Sequence, residues 1–189
     1  MSRGVVGILL AAGFARRFGS DKRLQRLADG RAMAVVAAGQ LLQAGVPVIA
    51  VLRPEDAELA ELLAAAGCEV VNAAAAQFGM GHSLAAGVAA SPDAAGWLVA
   101  LADMPRLQVA SHRAVLAALH AGASLARSEH AGQAGHPVGF AARWREQLLA
   151  LSGDAGARQL VQAGAAELVR CPVDDPGVLF DVDLPGDLA

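Results

Sequence analysis

Hydrophobic and polar positions alternate along this chain between two kinds of pattern. Short continuous apolar runs at 5–10, 48–52, 68–71 and 97–101 read as strands buried on both faces. Stretches with apolar residues three and four apart separate them and read as helices, at 33–43 and 109–120. Another helix opens at Pro54-Glu55-Asp56, packs through Leu59, Leu62, Leu63 and Ala66, and stops at Gly67. Residues 73–81 read as a loop, with a helix starting near 81–83. Further on, 124–127, 136–140 and 167–171 read as strands, and 143–151 and 156–162 as helices around a Gly153-Asp154 turn. Residues 180–183 form a short extended piece before a turn at Leu184-Pro185. Strands alternating with helices predict a single-domain α/β fold over 1–189, a mostly parallel, Rossmann-like sheet covered on both faces.

Charge adds direction to that picture. The net charge is −3, which argues against a general nucleic-acid partner. Arg3, Arg16, Arg17, Lys22, Arg23, Arg26 and Arg31 crowd the start, whereas Asp174, Asp175, Asp181, Asp183 and Asp187 crowd the end. That distribution suits a site needing cations for phosphate and carboxylates for a metal; two solvated surfaces of opposite sign would look the same. No apolar window has a membrane-spanning pattern, so no membrane partner is expected. Cys68 and Cys171 lie far apart without metal-ligand spacing and read as buried free thiols, consistent with a cytoplasmic location.

The most informative stretch is Leu10-Ala11-Ala12-Gly13 followed by Arg17, Gly19 and Lys22, where a buried strand breaks into small residues and cations. Lys22 is the only lysine against fourteen arginines, which hints that a compact point charge rather than a planar fork is wanted at this spot. The spacing fits neither a Walker A loop nor a dinucleotide fingerprint. Asp103, ending an apolar strand before Pro105, either presents a carboxylate at the ligand-binding edge of the sheet or caps the next helix. Alternation puts Asp181 and Asp183 on one face of an extended segment.

Together these segments resemble the molybdenum cofactor cytidylyl- and guanylyltransferases, in the MobA-like nucleotidyltransferase family. The loop is similar to that family's L-A-(A/G)-G-x-S-x-R-x-G-x-x-K, with Ala15 replacing the usual Ser. Leu101-Ala102-Asp103-Met104-Pro105 resembles its L-x-D-x-P motif, and Asp181-Val182-Asp183-Leu184-Pro185 its closing segment, with Leu184 for Thr. Gly79-Met80-Gly81-His82-Ser83, Gly135-His136-Pro137-Val138 and Gly153-Asp154-Ala155-Gly156-Ala157-Arg158 are similar to three further family segments.

The resemblance implies a nucleotide-diphospho-sugar-transferase-like fold and transfer of CMP from CTP to a phosphorylated pterin. Lys22 and Arg17 would act in catalysis. Leu10, Ala11, Ala12, Gly13, Gly19, Asn72, Met80 and Ser83 would hold the nucleotide. His136, Pro137 and Arg158 would meet the acceptor, and Asp103 with Asp183 would bind Mg2+, Asp181 lying nearby. A transient contact with a molybdoenzyme or its chaperone is implied as well. Ala12, where guanylyl relatives carry Gly, favours the smaller pyrimidine. Alternatives are another NTP and phosphorylated acceptor, or a nucleotide-binding regulatory subunit without turnover.

Overall fold

A computed structural model describes residues 4–13, 21–154 and 156–188. The seven strands are β1 (Val5–Leu10), β2 (Val48–Leu52), β3 (Glu69–Asn72), β4 (Gly96–Leu101), β5 (Leu125–His130), β6 (Gln133–Ala141) and β7 (Leu168–Pro172). They form one sheet in the order β3-β2-β1-β4-β6-β5-β7. All pairings are parallel except those of β6, which runs antiparallel to both β4 and β5. The α/β fold and mostly parallel sheet expected from the sequence are therefore present.

The helices are α1 (Met33–Gln43), α2 (Ala57–Ala65), α3 (Met80–Ala89), α4 (Val109–His120), α5 (Arg145–Leu149) and α6 (Arg158–Ala163). Successive strand residues point to opposite faces and so feed two separate cores. Leu9, Ala50, Leu98 and Ala100 pack under α1, α2 and α4. Ile8, Val51, Trp97 and Val99 pack under α3, α5 and α6. The apolar runs are continuous because both layers must be filled.

Several details differ from expectation. β5 and β6 extend further than the expected 124–127 and 136–140 and form a hairpin whose central residues, Ala131 and Gly132, have φ of 49° and 78°. Two positive-φ residues make the tight turn whose twist matches paired strands, and glycine adopts that geometry without a Cβ clash. Leu62, expected on the packing face of α2, is 36% exposed, whereas Leu59 and Leu63 are fully enclosed. A short helix hydrogen-bonded three residues apart, Ala74–Phe78, occupies the expected loop, and α3 begins at Met80.

Candidate active site

β1, β2, β3 and β4 end on one edge of the sheet; the chain runs outward from β1 through β2 to β3, then crosses back to β4 on the other side of β1. Such a reversal opens a crevice at the strands' carboxyl ends. Here it lies between Ala11-Ala12-Gly13, after β1, and Ala102-Asp103, after β4. The Ala102 N–H bonds the Leu10 carbonyl at 3.2 Å, tying the two exits together.

Lys22 begins a one-turn helix, Lys22–Leu24, whose preceding residue Asp21 caps it by accepting from Arg23 N. The Lys22 Nζ donates to Asp103 Oδ2 at 2.8 Å and to the Val182 carbonyl at 2.8 Å, and lies 3.5 Å from Asp183 Oδ1. Burial alone would lower the Lys22 pKa; bonding to Asp103, with Asp183 adding, raises it instead and keeps the ammonium charged. The closing segment reaches this place because the Val182 N–H bonds the Asp103 carbonyl at 2.9 Å while the Val182 side chain is buried. Asp187 shapes the turn beyond by accepting from the N–H groups of Asp183 and Leu184. The sequence offered no sign of that role.

Residues 81 and 160 positions from Lys22 thus meet around one cation. An ammonium cradled by two carboxylates and a carbonyl stands in for a cation, and an all-oxygen donor set suits a hard divalent ion. Asp103 and Asp183 fit such a metal. Among the described residues no cluster of three or more His, Cys, Asp or Glu side chains could hold one, so phosphate oxygens and water would complete the shell. Asp181 is exposed.

Beside this cluster is a cavity of about 360 Å³, lined among others by Leu10, Ala11, Ala12, Gly13, Met80 and Ser83. Residues 7–169 match the family of the MobA-like NTP transferase domain. The chain belongs to that family.

Solved structures agree. Rv0371c from Mycobacterium tuberculosis H37Rv is similar with a TM-score of 0.82 at 27% identity, over 97% of this chain and 95% of that one. Its complex with manganese gives 0.79 at 28%, with the same coverages. A nucleotidyl transferase from Methanothermobacter thermautotroptrophicus (Mth528) gives 0.82 at 21%, over 97% and 93%. Molybdopterin-guanine dinucleotide biosynthesis protein A from Archaeoglobus fulgidus gives 0.63 at 20%, over 97% and 95%. The last two share the fold. No curated protein matches the sequence.

In this nucleotidyltransferase two motifs far apart in sequence close the far side of the cavity together. Gly79, at φ 130°, brings the start of α3 so near the 153–154 backbone that a Cβ would lie 2.3 Å from the Gly153 carbonyl carbon. The Gly81 N–H donates to the Gly153 carbonyl, and the Gly153 N–H donates to His82 Nδ1. The Gly81 donor, a candidate for ligand binding at a helix start, is therefore spent within the protein. Asn72 ends β3 in an exposed position and does not line the cavity. Arg17, Gly19 and Ala15 lie outside the described residues. Gln77 and Phe78 also line the cavity without having been singled out in the sequence, beside Asp154 of the Gly153–Arg158 segment.

A second cavity, about 470 Å³, shares Leu10, Met80 and Leu101 with the first. His136, Arg158 and Arg127 line it in front of a wall of Val99, Val138 and Phe140. Pro137, next to His136, is buried. Burial pushes the His136 pKa down to about 4, helped by Arg127 and opposed by Asp103, so the ring is neutral. Among the described residues its Nδ1 meets no hydrogen-bond partner. Arg127, which donates to the Gly135 carbonyl, was invisible in the sequence as one cation inside a strand.

Proposed function

We propose that this nucleotidyltransferase transfers CMP from CTP to a phosphorylated pterin, molybdopterin or the molybdenum cofactor, releasing pyrophosphate. One observation carries the reading: Lys22, Asp103 and Asp183 converge at the crevice between β1 and β4 beside a nucleotide-sized cavity. An oxygen of the acceptor's phosphate attacks the α-phosphorus of CTP. The new P–O bond forms as the bond from the α-phosphorus to the bridging oxygen breaks, and the electron pair leaves with pyrophosphate. Such a step needs alignment and charge neutralisation, with no protein nucleophile. Lys22 supplies a fixed positive charge at the phosphates, and Arg17 is assigned to the same anionic face. Mg2+, held by Asp103 and Asp183, would add neutralisation of the phosphate oxygens; the manganese bound by the mycobacterial relative supports a divalent ion.

Leu10, Ala11, Ala12, Gly13, Met80 and Ser83 hold the nucleotide in this reading, and Gly19 is assigned to it from the loop motif. The acceptor enters the second cavity, where His136, Pro137 and Arg158 receive it. A cavity with guanidinium groups in front of an apolar and aromatic wall suits a flat, anionic molecule.

The decisive assay is pyrophosphate release with molybdopterin, magnesium and each nucleoside triphosphate. CTP is expected to give the largest kcat/KM, and Lys22→Ala to lower it about a hundredfold or more, the scale for one preorganised charge-stabilising group. Full activity in folded Lys22→Ala would overturn the phosphate role. A wild-type preference for GTP would overturn the cytidylyl assignment, which rests on the methyl group of Ala12 narrowing the base pocket, a difference that decides about 1–3 kcal/mol.

A further inference from the structure

We infer that Arg23 is the positioning residue of the nucleotide site, setting both Lys22 and the turn after β1; as regards the nucleotide, this rests on the reading above. Arg23 follows Lys22 directly, yet the two side chains have opposite fates. Lys22 reaches the carboxylates, and Arg23 is buried at 3% exposure. All five guanidinium N–H donors are used. Nε donates to Asp21 Oδ1 at 2.8 Å and one Nη to Asp21 Oδ2 at 2.6 Å. That same Nη donates to Asp56 Oδ1 at 2.7 Å, while the other donates to Asp56 Oδ2 at 2.6 Å and to the Ala11 carbonyl at 2.5 Å.

These partners sit on three separate pieces of chain. Asp21 caps the turn that carries Lys22. Asp56 precedes α2 and is itself held by Arg53 through Nε, an Nη and the backbone N–H. Ala11 is the first residue past β1 and lines the nucleotide cavity. A peptide group is planar, so fixing the Ala11 carbonyl also fixes the direction of the Ala12 N–H. One rigid fork therefore sets the backbone on the nucleotide side and the base of the lysine that neutralises the phosphates.

Stability alone is a poor explanation for this arrangement. A buried ion cluster typically gains little over well-packed apolar groups, because desolvation offsets the attraction. A planar guanidinium with five fixed donors instead supplies direction, which an ammonium cannot.

The chain offers a clean reporter, since Lys22 is its only lysine. Its rate of labelling by an amine reagent, localised by mass spectrometry, reads how firmly the carboxylates hold it. The buried Cys68 thiol, packed in the core just before β3 at the amino end of the strands, reports global opening through a thiol reagent. Arg23→Met is expected to label at Lys22 about tenfold faster or more, the scale of losing one hydrogen bond to a charged group. Cys68 should stay as protected as in the wild type, and CTP affinity by calorimetry with magnesium should fall by about the same factor. If Arg23→Met does not fold, Asp56→Asn, which keeps the bonds to Asp21 and Ala11, should raise Lys22 labelling in the same direction by less. Unchanged Lys22 labelling in the folded variant, or labelling that rises only in step with Cys68, overturns the inference. Selective release of Lys22 in a protein that binds no nucleoside triphosphate would leave the positioning role standing and defeat the nucleotide reading.

Discussion

Lys22 Nζ lies between Asp103 and Asp183, the two carboxylates proposed to hold a divalent cation. Two positive charges cannot share one pair of carboxylates without strong repulsion, so on the proposed metal role ammonium and metal compete for Asp103 and Asp183. Lys22→Met should therefore bind Mn2+ more tightly than the wild type when nucleotide is absent, by about tenfold. Adding Asp103→Asn to that variant should remove the gain, because a neutral amide attracts a hard cation far less than a carboxylate does. Electron paramagnetic resonance of free Mn2+ measures this without turnover. Equal or weaker affinity in Lys22→Met would refute competition. The lysine, the carboxylates and the small-residue turn were all legible in the sequence, because each carries unusual chemistry at a strand end. Arg23 and Arg127 were not: a single arginine in a basic stretch or a strand looks like surface charge until its partners are known.

At the scale of elements, the β5–β6 hairpin decides how the side of the sheet at the second cavity is built. By reversing β6 it places His136 and Val138 beside β4, next to Val99. The turn depends on Ala131 holding φ of 49°, a region closed to most side chains at modest cost. Ala131→Asn should stabilise the protein by about 0.5–1 kcal/mol, since asparagine tolerates this conformation and favours such turns. Chemical denaturation measures the change in midpoint, and a loss of stability would contradict the turn assignment. The sequence concealed the hairpin because Ala131-Gly132 lacks the asparagine or aspartate that usually announces it. By contrast β1, α1, β2 and α4 lie at the bounds their periodicity predicts, since each is long, apolar in pattern and flanked by clear stops.

Across the whole molecule, buried titratable groups set the response to acid. His112, enclosed in α4, has its pKa pushed by burial down to about 4, against the pull of Asp175. The unfolded chain takes up that proton near the ordinary value of about 6.5. Its contribution is thus complete above that pH and is lost as pH falls toward about 4, worth at most about 3 kcal/mol. Asp56 acts lower in the scale. Burial would raise its carboxyl, but bonds from Arg23 and Arg53 win and hold it below the usual value, so its share disappears only as pH falls through that lowered pKa. The melting temperature should therefore fall between about pH 7 and about pH 5, and fall less in His112→Leu. Equal drops in both proteins would exclude His112 as the source.

The sequence by itself determined the alternation of strands and helices, the apolar runs of a sheet filled from both faces, and the carboxyl-end placement of Lys22 and Asp103. These follow from local periodicity and from which residue ends a strand, and neighbours along the chain suffice to encode them. Only the tertiary structure decided the strand order, the reversal of β6, and the meeting of Lys22 with Asp103 and Asp183. It alone joined the Gly79–Ser83 and Gly153–Arg158 segments and gave Arg23 its three anchors. Those features depend on close packing and on bonds between residues distant in sequence, where partners are chosen by the assembled core and leave no periodic trace.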